Sequence, residues 1–138
     1  MKISNVIGTV VGVGIGIAVI KEVINEIEKE RNKTLKVFIS TPMTGLTNST
    51  ILEEIEKCKK DIKKLLKDKT YGKEIEFVSN YDPNATESSA LECLGSAISK
   101  IGKCQYIYFN TGWEDSKGCF IEHEVAKKYN IKKLYNNN

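Results

Sequence analysis

The sequence has few of the residues that build metal cages, disulfide frameworks and nucleic-acid interfaces. It contains one histidine, His123, and its four cysteines form no Cys-x-x-Cys pair. This spacing argues against a zinc site and against the disulfide framework of a small secreted protein. The net charge is only +3, and the lysines are mixed with acidic residues instead of forming a basic stripe. We therefore expect reduced thiols in a cytoplasmic setting, no metal or other cofactor, and no nucleic-acid partner.

The composition divides the chain into two parts. With 138 residues, of which 41% are hydrophobic, the chain is long enough for one domain with one core. Residues 3–20 carry no charge, and the residues that follow are strongly charged. We therefore predict an N-terminal apolar and charged helix over residues 1–34 and a globular domain over residues 35–138.

Residues 3–20 allow two main interpretations. As a helix they would extend about 27 Å, slightly less than the roughly 30 Å of a bilayer's hydrocarbon layer. Gly8, Gly12 and Gly16 recur on one face, as in membrane helices that approach closely. The segment is therefore either a membrane anchor, with the globular domain on the cytoplasmic side because basic residues follow it, or a helix that packs against another copy in a homo-oligomer. A dinucleotide-binding glycine loop fits poorly, since the third glycine of that motif is missing.

From Leu35 onward, strand patterns alternate with helix patterns. Short runs rich in β-branched and aromatic residues predict strands at 35–40, 74–79, 105–110 and 131–135. Apolar residues at three- and four-residue steps predict the helices between them, which begin at capping boxes formed by Thr50 with Glu53 and Ser89 with Glu92, and at Ser116. This order predicts an α/β fold, with a Rossmann-like, flavodoxin-type parallel sheet flanked by helices.

In such a sheet, ligands bind where the strands end. The loops at residues 40–45, 79–83 and 110–118 should meet there, although they are far apart in the sequence. Within them the candidate substrate-binding residues are Ser40, Thr41, Pro42, Met43, Gly45, Asp82, Asn110, Gly112, Trp113, Asp115, Ser116 and Gly118. Trp113 could stack on a base or act as a hydrophobic plug.

The start of the last predicted helix suits an anion. Free backbone N–H groups near Gly118 can bind a phosphate, and Ser116 supplies a hydroxyl and the helix cap. Glu122 lies one turn further on, where we expect the helix N-terminus to keep its carboxylate ionised. An ionised carboxylate can attack or stabilise a developing sugar cation. The alternative is a solvated carboxylate that pairs with Lys127 or Lys128.

Two stretches resemble a known family. They are "VFISTPMTG" at residues 37–45 and "YIYFNTGWEDSKGCFIEHEVAKKYNI" at residues 106–131. With the helix between them they resemble phage and bacterial proteins related to nucleoside 2-deoxyribosyltransferases and 2'-deoxynucleoside 5'-phosphate N-hydrolases, over residues 35–135. The resemblance implies that Glu122, four residues after Gly118, attacks the anomeric carbon. It also implies that Ser116, where transferases tend to carry an aspartate, holds a 5'-phosphate, and that residues 41–45 close over the sugar.

One feature departs from the pattern of that family. Related sequences commonly carry aspartates at the start of the third strand and about two turns upstream, which orient and protonate the leaving base. Here Gln105 stands at the strand start, and no carboxylate lies between Leu94 and Asn110. Asp82 and Asp115 are the nearest substitutes. The sequence thus predicts N-glycosidic cleavage or deoxyribosyl transfer on a nucleoside or its 5'-monophosphate, or alternatively a nucleotide-binding module without turnover.

Overall fold

The computed structural model describes residues 13–31, 33–84 and 88–138, with the side chains of residues 13–15, 30 and 31 left out. The chain divides into two compact units, Met1–Thr34 and Leu35–Asn138. The described part of the first unit is mainly one helix, α1 (Val13–Arg31). The predicted membrane segment lies partly outside the described residues, since only residues 13–20 of it belong to α1. Among the helices that are described, none is long and apolar enough to cross a membrane.

The remaining elements alternate as predicted. They are β1 (Thr34–Ser40), α2 (Asn48–Leu65), β2 (Glu74–Ser79), α3 (Ala90–Ile101), β3 (Tyr106–Phe109), a 3-10 turn (Trp113–Asp115), α4 (Lys117–Lys128) and β4 (Lys132–Tyr135). The strands form one four-stranded parallel sheet in the order β2-β1-β3-β4. This is the order of the first four strands of a flavodoxin-like sheet. In such a sheet β2 is added on one side of β1 and β3 on the other, and this change in the order of the strands opens a crevice at the carboxyl edge.

The register of the two central strands aligns their carboxyl ends. Ser40, the last residue of β1, lies beside Phe109, the last residue of β3. On the other side of β3, Phe109 lies beside Tyr135 at the end of β4. The residues that follow β1 and β3 therefore leave the sheet side by side.

Each face of the sheet has its own hydrophobic core, because alternate residues of a strand point to opposite faces. On the α2 face, Leu35, Val37, Ile39, Tyr106 and Tyr108 pack with Ile51, Ile55, Cys58, Ile62 and Leu66. On the opposite face, Phe38, Ile107 and Phe109 pack with Ala97, Ile101, Cys104 and Ala126. The four cysteines are free thiols, and all but Cys93 are buried. The predicted covering of both faces is confirmed.

The helix starts test the two predicted capping boxes. The box at the start of α3 is confirmed: the Ser89 side chain accepts from the Glu92 N–H, and the Glu92 carboxylate accepts from the Ser89 N–H. The box predicted from Thr50 and Glu53 is wrong, because α2 begins one turn earlier. Its cap is Thr47, which has an extended backbone and accepts a 3.3 Å hydrogen bond from the Thr50 N–H.

Candidate functional site

Four polar side chains are buried together at the carboxyl edge of the sheet: Ser40, Thr41, Asn110 and Glu122. In the described part of the chain, no other serine, threonine, amide or charged side chain is buried to this degree. Ser40 ends β1 and Thr41 follows it, Asn110 follows β3, and Glu122 projects from α4. Burying polar groups costs free energy unless each finds a partner. Their concentration at one edge therefore favours a functional site.

Glu122 is held by a residue that lies 82 positions earlier in the sequence. The Ser40 hydroxyl donates a 2.5 Å hydrogen bond to Glu122 Oε2, and Glu122 is only 8% exposed. Burial raises the pKa of Glu122 to about 7, and the hydrogen bond from Ser40 opposes that rise only in part. The proposed solvated carboxylate paired with Lys127 or Lys128 is therefore wrong.

The expectation that the helix N-terminus keeps Glu122 ionised is also wrong. The field of a helix terminus falls off within the first turn, and Glu122 lies six residues beyond the cap, Ser116. Loss of hydration then dominates, because burial disfavours the charged form of a carboxyl group. A carboxyl group with a pKa near 7 can hold or release a proton under neutral conditions, which is typical of catalytic acids, bases and nucleophiles.

Asn110 links four parts of the fold through its side chain. Its Nδ2 donates to Thr41 Oγ1 at 3.0 Å and to Glu54 Oε2 at 3.3 Å, and its Oδ1 accepts from Asn136 Nδ2 at 2.9 Å. The ends of β1 and β3, helix α2 and the C-terminal tail are thereby tied together. The structure thus gives the predicted residue Asn110 a clear role in shaping this edge.

Glu54 is a residue of this network that sequence reasoning missed. It stands among several charged residues on α2, and the only signal for it was its place next to the buried Ile55. Hydrogen bonds from Lys57 and Asn110 lower the pKa of Glu54. The edge therefore has two carboxyl groups in contrasting states: one buried with a raised pKa, and one half-buried and ionised. Such a contrast is typical of sites in which two carboxyl groups have different roles.

The loops after β1 and β3 lie against each other, as predicted. Gly112 has a left-handed backbone with φ of 85°, and a Cβ atom there would lie 3.7 Å from Pro42. Met43 packs onto the core of the α2 face, while Gly45, with φ of 79°, turns the exposed part of the first loop. Residues 41–45 and 110–112 therefore adjoin at the edge of the sheet that holds the buried polar cluster.

The first turn of α4 presents backbone donors next to open space. Ser116 caps the helix, with its Oγ accepting from the Cys119 N–H at 3.5 Å. Apart from its own helix, Gly118 leaves room for a Cβ atom with no neighbour within 4 Å. Burial raises the pKa of the Cys119 thiol, although hydrogen bonds with Ser116 and Ser40 oppose the rise. This thiol therefore stays protonated at neutral pH and serves as packing rather than as a nucleophile.

Trp113 and the two loop aspartates, Asp82 and Asp115, do not belong to the buried polar cluster. The Trp113 ring stacks on His123, with centroids 4.2 Å apart, and also contacts Phe109. These contacts support the interpretation of Trp113 as a hydrophobic plug. Asp115 is exposed beside Ser116, and Asp82 is exposed and accepts from the Asn84 N–H within its own loop. Neither aspartate is buried with Glu122.

Gln105 lies at the opposite edge of the sheet. Its side chain accepts a 2.8 Å hydrogen bond from the Lys36 N–H, at the start of β1. Gln105 lies four positions before Phe109, which places it about 13 Å along the strand from the carboxyl edge. An aspartate at this position could not reach a ligand beside Glu122. The absence of a carboxylate at position 105 therefore says little about turnover at that edge.

A family model described as a domain of unknown function, DUF4406, matches residues 35–135. The chain belongs to this family. The DUF4406 match begins with the second compact unit and ends at the last residue of β4, so it includes Ser40, Glu54, Asn110 and Glu122. No curated protein matches the chain. The DUF4406 description names no activity.

Proposed function

We propose that this DUF4406 protein cleaves, or transfers the sugar at, the N-glycosidic bond of a nucleoside or nucleoside 5'-monophosphate, with Glu122 as the nucleophile. The observation that carries the proposal is the burial of Glu122 against Ser40 at the carboxyl edge, with a pKa of about 7. The resemblance to deoxyribosyltransferases and 5'-phosphate N-hydrolases, which assigns the attacking carboxylate to this position, supports it.

The proposed reaction has two steps. The ionised Glu122 carboxylate bonds to the anomeric carbon as the carbon–nitrogen bond breaks, the electron pair of that bond goes to the base nitrogen, and the departing base takes a proton from solvent. Water then attacks the anomeric carbon and gives a proton to solvent, and the Glu122 carboxylate leaves with the electron pair of the ester bond. In a transfer, a second base attacks the anomeric carbon instead of water. The Ser40 hydroxyl would hold one carboxylate oxygen so that the other faces the sugar.

Other polar groups at this end of the domain suggest where the rest of the substrate would lie. The N–H groups at the start of α4 and the Ser116 hydroxyl suit a 5'-phosphate. Glu54, which is ionised and bonded to Asn110, suits the hydroxyl groups of the sugar, because a carboxylate accepts hydrogen bonds at both oxygens.

Substitution of Glu122 tests the proposal. Glu122→Gln keeps the shape of the side chain and an acceptor for Ser40 but cannot attack the sugar, so base release should fall by at least roughly 100-fold. Chromatography of a panel of nucleosides and 5'-monophosphates measures the rate. Glu124→Gln, which removes a half-exposed carboxylate from the same helix, is the matched control and should keep the wild-type rate. Equal rates for wild type and Glu122→Gln would contradict the proposal.

A second substitution tests the phosphate site. Ser116→Asp keeps a helix cap but places a negative charge where the phosphate would bind. The KM for a 5'-monophosphate should rise roughly 10- to 100-fold, while the KM for the free nucleoside changes little. A parallel change for both substrates would show that Ser116 does not contact a phosphate.

The second candidate function is a nucleotide-binding module without turnover. It is favoured by the positions of Asp82 and Asp115, which are exposed and leave no evident acid for the departing base. Calorimetric titration with the same panel separates the two candidates. If wild type and Glu122→Gln bind a nucleotide equally and neither releases base, the binding module is the better description.

A further inference from the structure

Helix α1 carries a stripe of exposed isoleucines. Ile17, Ile20 and Ile24 are 59%, 54% and 48% exposed. They are separated by steps of three and four residues, and Ile27 continues the alternation with another step of three. Steps of three and four in turn define positions a and d of a heptad repeat, which form the contact seam of a coiled coil.

The same register extends through the sequence before Ile17. Val13 precedes it by four residues within α1, and Val10, Val6 and Ile3 continue the steps outside the described residues. Every a and d position from Ile3 to Ile27 is therefore isoleucine or valine. Four consecutive pairs of this kind are a sustained heptad pattern.

In the second half of the helix, Val23 is the one apolar residue that lies off this stripe. Apart from Val23, the positions between Lys21 and Lys29 that lie off the stripe are polar or charged: Lys21, Glu22, Asn25, Glu26, Glu28 and Lys29. The core of a bilayer could enclose an apolar run, but a helix that spanned it through Ile24 and Ile27 would also bury these charges. Another helix can cover the stripe alone.

We propose that α1 forms a parallel coiled coil with the same helix of two or three further copies of this chain. β-Branched residues at both a and d favour three or four strands over two. Identical helices in register place each isoleucine layer against the same layer of its neighbours. The charges are also compatible with this arrangement. The e positions, Lys21 and Glu28, would face the uncharged g positions of the next helix, Gly16 and Val23, so that like charges do not meet.

Molar mass measured by light scattering on the full chain tests this assembly, in buffer or in micelles of a non-ionic detergent. The wild type should have three or four times the chain mass of 15.5 kDa. Ile20→Glu with Ile24→Glu should lower the mass, because charges then enter the seam. Ala18→Glu with Asn25→Glu is the matched control: it adds the same residues at exposed b positions of the same helix and should keep the wild-type mass.

Disulfide trapping tests directly whether the α1 helices of different copies lie side by side, whatever other contacts the copies make. In a parallel coiled coil, position 20 of one helix lies beside position 20 of its neighbours, so Ile20→Cys should yield a covalent dimer under mild oxidation. Ala18→Cys and the wild type, with its half-buried Cys93, serve as controls and should not. A monomeric or dimeric wild type, equal effects of the two glutamate pairs, or trapping through position 18 but not 20 would each overturn the proposal.

Discussion

At the level of single residues, Glu122 shows a conflict between burial and charge. Its carboxyl group lies out of solvent, with the Ser40 hydroxyl as its hydrogen-bond donor, and burial moves its pKa to about 7. Above that pH the folded protein must keep a negative charge in a poorly hydrated place. We expect this charge to lower the free energy of unfolding and to be required for the attack on the sugar.

The stability cost can be measured with Glu122→Gln. In the unfolded chain the glutamate has its ordinary pKa of 4.5. Between the unfolded and folded pKa values the folded state binds the extra proton, so the contribution of Glu122 to stability falls as pH rises from about 4.5 to about 7. Glutamine avoids this loss, and Glu122→Gln should be more stable than wild type by about 1–3 kcal/mol at pH 8 and by less at pH 5. Urea unfolding at both pH values checks it, and an equal difference at both would show that ionisation is not the cause.

Reactivity should depend on the same ionisation. If ionised Glu122 attacks the sugar, kcat/KM for base release should rise about tenfold per pH unit below pH 7 and level off above it. The hydrogen bond from Ser40 lowers the pKa of Glu122, so Ser40→Ala should move the inflection of the pH profile to higher pH. A simple loss of rate with an unmoved inflection would show that Ser40 does not tune this carboxyl group.

At the level of elements, Asn110 joins the end of β3 to the loop after β1, to helix α2 and to the C-terminal tail. One amide holds the start of the loop after β1 through Thr41, helix α2 through Glu54, and the tail beyond β4 through Asn136. Because Thr41 belongs to the buried polar cluster and Glu54 is the second carboxyl group of this edge, the amide should stabilise both the fold and the geometry of the carboxyl edge.

Asn110→Ala should therefore lower the free energy of unfolding by about 2–4 kcal/mol, because it leaves the buried Thr41 hydroxyl without this partner. Asn136→Ala removes only one bond of the same amide at a half-buried position and should cost about 1 kcal/mol. Chemical denaturation of the two variants beside wild type measures the difference. Equal costs would mean that the amide contributes little beyond its bond to the tail.

At the level of the whole molecule, the globular unit contains both hydrophobic cores. Every buried residue of the two cores lies between Leu35 and Ala126. We therefore expect the fragment 33–138 to fold without the first 32 residues. Its unfolding, followed by the fluorescence of Trp113, the sole tryptophan, should remain one cooperative transition, while the assembly proposed for α1 is lost. A fragment without a cooperative transition would show that the N-terminal unit is needed for folding.

The sequence by itself determined the features that depend on neighbouring residues. A short run rich in β-branched and aromatic residues placed β2 at residues 74–79 without error, and the spacing of Ser89 and Glu92 identified a real capping box. The order of strands and helices then led to a parallel α/β fold, because crossover connections have one hand. The cap of α2 was missed, since Thr47 and Thr50 are both acceptable caps and local chemistry does not choose between them.

The tertiary structure decided the electrostatics and the membership of the site. Sequence pointed to Ser40, Thr41, Asn110 and Glu122, but it could not give the pKa of Glu122, which depends on burial against a residue 82 positions away. It also missed Glu54, which is 56 positions from its partner Asn110 and is one of several charges on α2. Periodicity identifies which face of a helix is apolar, but it does not show which charged residue beside that face meets another loop. Burial and hydrogen bonding arise from contacts between distant segments, and for that reason only the folded chain determines them.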